Sequence, residues 1–250
     1  MPFESASILT CLKKPGHYLI AGKPVHKGKL SGVDVVLMNS GMGKVNAAHS
    51  ATYIIEKYPV SAIINIGVGG AYPGSGLKAG DIAFASKEIY GDEGVIGAEG
   101  WGGLEKIGIP LVKEGRKRYF NEYPLNSISP SVYKGKNRMT GWNCKIMRGN
   151  FVTVSAVSGT QRRARELERR FNAVCENMEG AAIAQVCTLY KVPMFEIRGI
   201  SNIAGSRDKT KWDLQLASGN CQKLMLDIID IAFNGPDEGT RPKKDAGRVL

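Results

Sequence analysis

The residues best placed to do chemistry in this 250-residue chain cluster at three predicted strand ends. Gly67-Val68-Gly69-Gly70 follows the apolar run AIINI, Asn177-Met178-Glu179-Gly180 opens a predicted helix, and Ser201-Asn202 follows FEIRGI. In doubly wound α/β sheets, ligands bind at the carboxyl ends of the strands. A carboxylate there can serve as a base or as a ligand for hydroxyls, and an amide can both donate and accept hydrogen bonds. Taken singly, each signal has an ordinary explanation. Glu179 could simply complement a helix N-terminus, and Asn202 could be a turn residue.

Other chemistries lack their residues. The three histidines, His17, His26 and His49, have no second metal ligand at helical spacing, so no metal is expected. No serine lies in GxSxG. Gly41-Met42-Gly43-Lys44 lacks the first glycine and the following Ser/Thr of a phosphate-binding loop, and no dinucleotide GxGxxG follows a strand. The five cysteines are widely spaced with no CxxC pair, so reduced thiols and a cytoplasmic setting are expected. The longest mostly apolar run, Ala62 to Ala71, is too short to span a membrane, and the N-terminus lacks the features of a signal peptide.

These loops need a scaffold, and the patterning supplies one. Val33–Met38, Ala62–Ile66, Ile82–Ala85, Phe151–Val157 and Met194–Ile200 read as buried strands. Val45–Tyr58, Thr160–Phe171, Glu179–Tyr190 and Leu216–Phe233 read as helices. β-Branched runs alternating with helices predict a three-layer α/β/α fold around a mixed, largely parallel sheet. Residues 1–233 read as one domain with a basic insertion around 105–145, and residues 234–250 as a disordered tail.

The net charge of +11 raises nucleic acid as a partner. The excess is local: residues 101–150 hold ten basic and three acidic side chains, interleaved with aromatics. No nucleic-acid motif frames that stretch, so a solvated basic insertion is the better reading and nucleic-acid binding is not expected. A field of this sign would steer an anionic small molecule.

Together the motifs carry a family resemblance. NSGMGKVNAA (39–48), IINIGVGGAYPGSGLKAGDI (63–82), ENMEGAAIA (176–184) and VPMFEIRGISN (192–202) occur in the order of the nucleoside phosphorylase and nucleosidase superfamily. The hydrolytic branch, typified by methylthioadenosine/S-adenosylhomocysteine nucleosidase, is the more similar. AYPGSGL (71–77), YGDEGV (90–95) and SNIAGSRDKTKW (201–212) resemble its futalosine-hydrolysing members. The resemblance implies hydrolysis of the N-ribosyl bond of futalosine, without metal or cofactor, by a homo-oligomer whose partner is a small nucleoside.

It also implies roles. Glu4 would ready the water, Glu179 would bind the ribose hydroxyls, and Asn202, beside Ser201, would hold the purine. Gly70, Asn177 and Met178 would lie along the sugar, and Val157 would line the base pocket. Arg207 is a candidate for the carboxylate that futalosine carries. The adenine-cleaving members have Asp where this chain has Asn202. Asn cannot transfer a proton, but its amide matches the N7 and O6 edge of a 6-oxopurine. The family's first strand, an apolar run just before the acidic motif, has no counterpart here. Met1 aligns with an internal methionine, so the reading frame is expected to start upstream. The alternatives are a purine nucleoside phosphorylase, a methylthioadenosine/S-adenosylhomocysteine nucleosidase and a non-catalytic nucleoside-binding protein.

Overall fold

A computed structural model describes residues 1–128 and 144–234. The tail 235–250 and the part of the basic insertion at 129–143 lie outside the described residues, and with them the expectation of a disordered tail. The chain opens with a 3-10 turn, Pro2–Glu4, and a short helix, α1 (Ala6–Cys11). Three strands follow, β1 (Lys13–Ile20), β2 (Lys23–Leu30) and β3 (Val33–Met38). They form an antiparallel sheet of order β1-β2-β3. Both hairpins turn on an X-Gly pair with positive φ, Ala21-Gly22 and Ser31-Gly32, as tight two-residue turns demand. Val33–Met38 is therefore not a strand of the main sheet, as its apolar run suggested. The two lysine-rich strands before it escaped the reading because their half-exposed faces carry little hydrophobic signal.

The rest builds the central sheet. Helix α2 (Lys44–Lys57) leads to β4 (Ile63–Ala71) and β5 (Ile82–Tyr90). Short strands follow, β6 (Val95–Gly97) and β7 (Gly100–Gly102), and then, within the basic insertion, β8 (Val112–Glu114), β9 (Lys117–Tyr119) and β10 (Glu122–Pro124). Then come β11 (Ile146–Thr153), α3 (Gln161–Phe171), β12 (Ala173–Asn177), α4 (Gly180–Tyr190), β13 (Met194–Ile203) and α5 (Leu214–Asn234). The sheet order is β10-β5-β11-β12-β4-β13, and β13 also pairs with β5, so five strands close on themselves. The long pairings β4–β13, β5–β11 and β11–β12 are parallel, and the shorter β4–β12, β5–β13 and β5–β10 are antiparallel. This is the mixed, largely parallel α/β sheet that the sequence predicted.

Helices cover it through separate apolar clusters. Ile8 of α1 and Leu224, Met225 and Ile228 of α5 pack with Val35, Phe84 and Ile197. Ala47 and Ala51 of α2 pack with Ala181 and Ile183 of α4. Leu167 of α3 packs on Val152 and Ala173. Thr160 caps α3 by accepting from Arg163 N, and Asn172 ends it in the left-handed region. Cys175, Cys187 and Cys221 are buried as free thiols, whose pKa burial pushes up. Among the described residues no helix is long and apolar enough to cross a membrane.

Candidate active site

Two strands run further than the sequence suggested. β4 continues through the glycine run to Ala71, and β13 continues through Ser201 and Asn202 to Ile203. The glycines are therefore strand residues rather than a loop. Their lack of side chains admits close neighbours. A Cβ on Gly69 would lie 2.6 Å from Cys175 Sγ, and one on Gly67 would lie 2.8 Å from both Arg198 Nη1 and Glu4 Oε1. A Cβ on Gly70 would meet nothing closer than 3.5 Å. The protein itself thus requires glycine at 67 and 69, and a requirement at Gly70 can come only from what occupies the cavity.

That cavity, of about 460 Å³, lies at the carboxyl ends of β4 and β13. Its lining includes all nine residues singled out from the sequence: Glu4, Gly70, Val157, Asn177, Met178, Glu179, Ser201, Asn202 and Arg207. Glu4 arrives from the first 3-10 turn, and its Oε1 accepts from Val68 N at 2.8 Å, while its other oxygen meets the N-terminal ammonium. Val157 stands beyond the end of β11 and is 41% exposed, so it can present an apolar surface to a ligand.

Glu179 is the N-cap residue of α4, but its side chain caps nothing. Asn177 does that work instead: its Oδ1 accepts from Glu179 N at 2.9 Å and Gly180 N at 2.7 Å. The Glu179 carboxylate is thereby free to turn into the cavity, where Oε1 accepts from Gly43 N at 2.9 Å and Oε2 lies 3.4 Å from Arg198 Nη1. Asn177 Nδ2 donates to Glu88 Oε1 at 2.6 Å, and Thr153 Oγ1 lies 3.0 Å from its Oδ1. Asn177 borders the cavity with its polar atoms already engaged.

Asn202 stands opposite Gly70 across the β4–β13 pairing, beside an irregularity in register. Its Nδ2 donates to Ile203 O at 3.1 Å, and its Oδ1 accepts from Ser201 Oγ at 2.8 Å. That pair of bonds fixes which way the amide faces and leaves the second amide hydrogen for a ligand. The Arg207 guanidinium lies 5.2 Å from the centre of the Trp212 ring, at the rim.

Sequence reasoning missed the group at the centre. Arg198 is buried in β13, and its Nε donates to Glu196 Oε1 at 2.8 Å, while Nη1 reaches Val68 O at 3.3 Å as well as Glu179. Arg198 Nη2 has no partner among the described residues. Facing carboxylates, Glu196 and Glu179 before Glu4 and Glu88, outweigh burial and raise the guanidinium pKa, so it stays charged. Beneath it, complete burial and then the neighbouring Glu196 push the Glu88 carboxyl well above the usual range. Burial raises Glu196 too, but Arg198 and a hydrogen bond with Glu88 oppose that rise, and Asn65 donates to its Oε1 at 2.9 Å. The neutral acid of the pair is thus Glu88. The signal was present in FEIRGI: two charged residues two apart in an otherwise apolar strand must share one face and pair there.

Comparison with known proteins shows the family. The family model "Phosphorylase superfamily" matches residues 1–230. A futalosine hydrolase of Thermus thermophilus is 37% identical over 183 residues, covering 73% of this chain and 76% of that protein. A 5'-methylthioadenosine/S-adenosylhomocysteine nucleosidase of Shewanella denitrificans is 32% identical, covering 89% and 92%. The crystal structure of such a nucleosidase from Colwellia psychrerythraea, in complex with adenine, superposes with a TM-score of 0.77 at 28% identity, covering 92% and 91%.

Proposed function

The chain belongs to the phosphorylase superfamily, and on that premise we propose that it is a purine nucleosidase that hydrolyses the N-ribosyl bond of futalosine, releasing hypoxanthine. The observation that carries the reading is the convergence of Glu4, Glu179, Arg198 and Asn202 on one cavity. N-Glycoside cleavage develops positive charge on the ribose and negative charge on the departing purine. Two carboxylates on the sugar side suit the first. The amide hydrogen that Asn202 retains suits the second.

In this mechanism Glu4 accepts a proton from water as the water oxygen bonds to C1′. The bond from C1′ to the purine nitrogen breaks, its electron pair leaves with the base, and solvent supplies the proton the base finally takes. Glu179 accepts hydrogen bonds from the ribose hydroxyls, in an orientation fixed by Gly43 N and Arg198. Arg198 keeps two carboxylates side by side without mutual repulsion driving either away. Asn202 offers its remaining amide hydrogen rather than a transferable proton, which suits the N7 and O6 acceptors of a 6-oxopurine better than the N6 amino donor of adenine.

Hydrolysis rather than phosphorolysis is supported by the first glycine loop. Its cation, Lys44, is engaged by Asp92 at 2.5 Å and Glu93 at 3.0 Å. Turnover of futalosine, methylthioadenosine and inosine should be compared side by side, with and without phosphate. Futalosine should be preferred, with free ribosyl product and no phosphate dependence. Preference for methylthioadenosine would assign the chain to the adenine-cleaving branch, and ribose 1-phosphate would exclude hydrolysis. The homo-oligomer belongs to the same proposal and is read by sedimentation equilibrium.

A further inference from the structure

Two carboxylates lie buried beneath the cavity without lining it. Glu88 of β5 and Glu196 of β13 are 0% and 1% exposed, and neither borders the space a ligand would fill. Their oxygens crowd one spot: a Cβ on Gly180 would stand 2.1 Å from Glu88 Oε1 and 2.5 Å from Glu196 Oε2. Glu196 Oε1 takes two donors, Arg198 Nε at 2.8 Å and Asn65 Nδ2 at 2.9 Å, while no ordinary donor among the described residues reaches Oε2. Leaving a buried oxygen unpaired is costly. A proton on Glu88 supplies the missing donor, as a hydrogen bond from its carboxyl to Glu196. The charges call for the same proton. Arg198 already faces Glu4, Glu179 and Glu196, and an ionised Glu88 would set a fourth carboxylate against one guanidinium. The other titratable groups around the pair, Cys175 on β12, Cys187 on α4 and Tyr90 on β5, have pKa values pushed up by burial and stay neutral.

The pair closes a circuit around Glu179. Glu88 Oε1 accepts from Asn177 Nδ2 at 2.6 Å, and Oε2 accepts from Thr153 Oγ1 at 2.7 Å. Those bonds fix the Asn177 amide so that its Oδ1 receives Glu179 N and Gly180 N. Thr153 Oγ1 in turn accepts from Ala181 N at 2.8 Å. On the other side, Glu196 holds Arg198, and Arg198 reaches the Glu179 carboxylate. Glu179 is therefore held twice, by its backbone through Glu88 and by its side chain through Glu196, and the two holds meet where the carboxyls touch. One proton at that contact joins them; without it, two buried like charges repel. We propose that Glu88 and Glu196 share one proton and that this proton positions Glu179 for the sugar, an inference that rests on the reading of Glu179 as the ribose ligand. Glu88 is thus a positioning residue. Its proton is held below the raised folded-state pKa and lost as pH rises through it.

The test compares the unmodified full chain with Glu88→Gln and Glu88→Leu. Gln keeps a donor for Glu196 and an acceptor for Asn177 but cannot ionise, whereas Leu offers neither. Infrared difference spectra need no substrate: at neutral pH the unmodified chain should show the carbonyl stretch of a protonated carboxyl group that Glu88→Gln lacks. Backbone amides of Glu179, Gly180 and Ala181 should exchange about tenfold faster in Glu88→Leu and close to the unmodified rate in Glu88→Gln. Glu88→Leu should lose about 10- to 100-fold in kcat/KM, and Glu88→Gln should restore it to within about threefold. The pH profile of kcat/KM should show an alkaline fall in the unmodified chain that Glu88→Gln lacks, a readout that a merely structural role would not move. A protonated-carboxyl band unchanged by Glu88→Gln, coincident pH profiles, unaltered exchange in Glu88→Leu, or full kcat/KM in Glu88→Leu would each overturn the proposal. If Glu88→Leu fails to fold, the band and the pH profile of Glu88→Gln still decide it. Absence of nucleosidase activity in the unmodified chain would instead refute the reading of the site, and the band and the amide exchange would then decide the shared proton and its hold on Glu179 without turnover.

Discussion

Replacing Gly67 by alanine should disable the site while leaving most of the fold standing. The added Cβ would lie 2.8 Å from Glu4 Oε1 and 2.8 Å from Arg198 Nη1, about 0.6 Å inside ordinary contact with each. Neither neighbour can yield freely. Glu4 is held by Val68 N, and Arg198 by Glu196, Val68 O and Glu179. Overpacking of this kind costs about 1–3 kcal/mol, which for a chain of this size lowers Tm by roughly 2–12 °C. The larger effect falls on turnover. Pushing the carboxylate proposed to activate water off its seat by a sizeable fraction of an ångström is expected to lower kcat by about 100-fold. Gly70→Ala is the internal control, because its Cβ meets no protein atom closer than 3.5 Å, so Tm should stay within about 2 °C. Purine release would be followed by chromatography alongside thermal melts of both variants. Folded Gly67→Ala with kcat close to that of the unmodified chain would refute the placement of Glu4 and Arg198 around β4.

Other perturbations separate the remaining roles. Asn202→Ala should lower hydrolysis of futalosine by about 100- to 1000-fold with an unchanged circular dichroism spectrum, and near-normal turnover would remove its role. Asn202→Asp should shift the ratio of kcat/KM between methylthioadenosine and futalosine towards the adenine substrate, and an unchanged ratio would detach that residue from base selection. Arg198→Met leaves Glu196 buried without its cation and should cost about 3–5 kcal/mol, read by denaturant unfolding. A loss below about 1 kcal/mol would contradict the pairing. Glu88 has a raised pKa in the folded state. Its contribution is therefore complete below the unfolded value of 4.5 and is lost as pH rises through the folded value. Glu88→Gln should flatten the fall of Tm on the alkaline side of that range, and an unaltered pH profile would place the proton elsewhere. Arg207→Glu should raise KM for an anionic nucleoside with little change in kcat, measured by initial rates.

The division between what the chain spells out and what folding adds follows from the range of the forces involved. Period and composition made the helices legible: α2, α3, α4 and α5 lie within two residues of their expected limits, because helix periodicity and breakers such as Pro59 act locally. The glycine motifs and the carboxylate and amide positions were legible too, and they line one cavity. The lysine-rich hairpins before β3 and the ends of β4 and β13 were not, since a strand ends where its partner does. Nor could spacing alone reveal that Asn177 rather than Glu179 caps α4, freeing a carboxylate for the cavity. Arg198 is the clearest case. The sequence shows an arginine two residues from Glu196 in an apolar strand, but its meaning comes from Glu4 and Glu179, contributed by two other segments. Charges in a low-dielectric interior are defined by which opposite charges surround them, and only the tertiary structure brings those together.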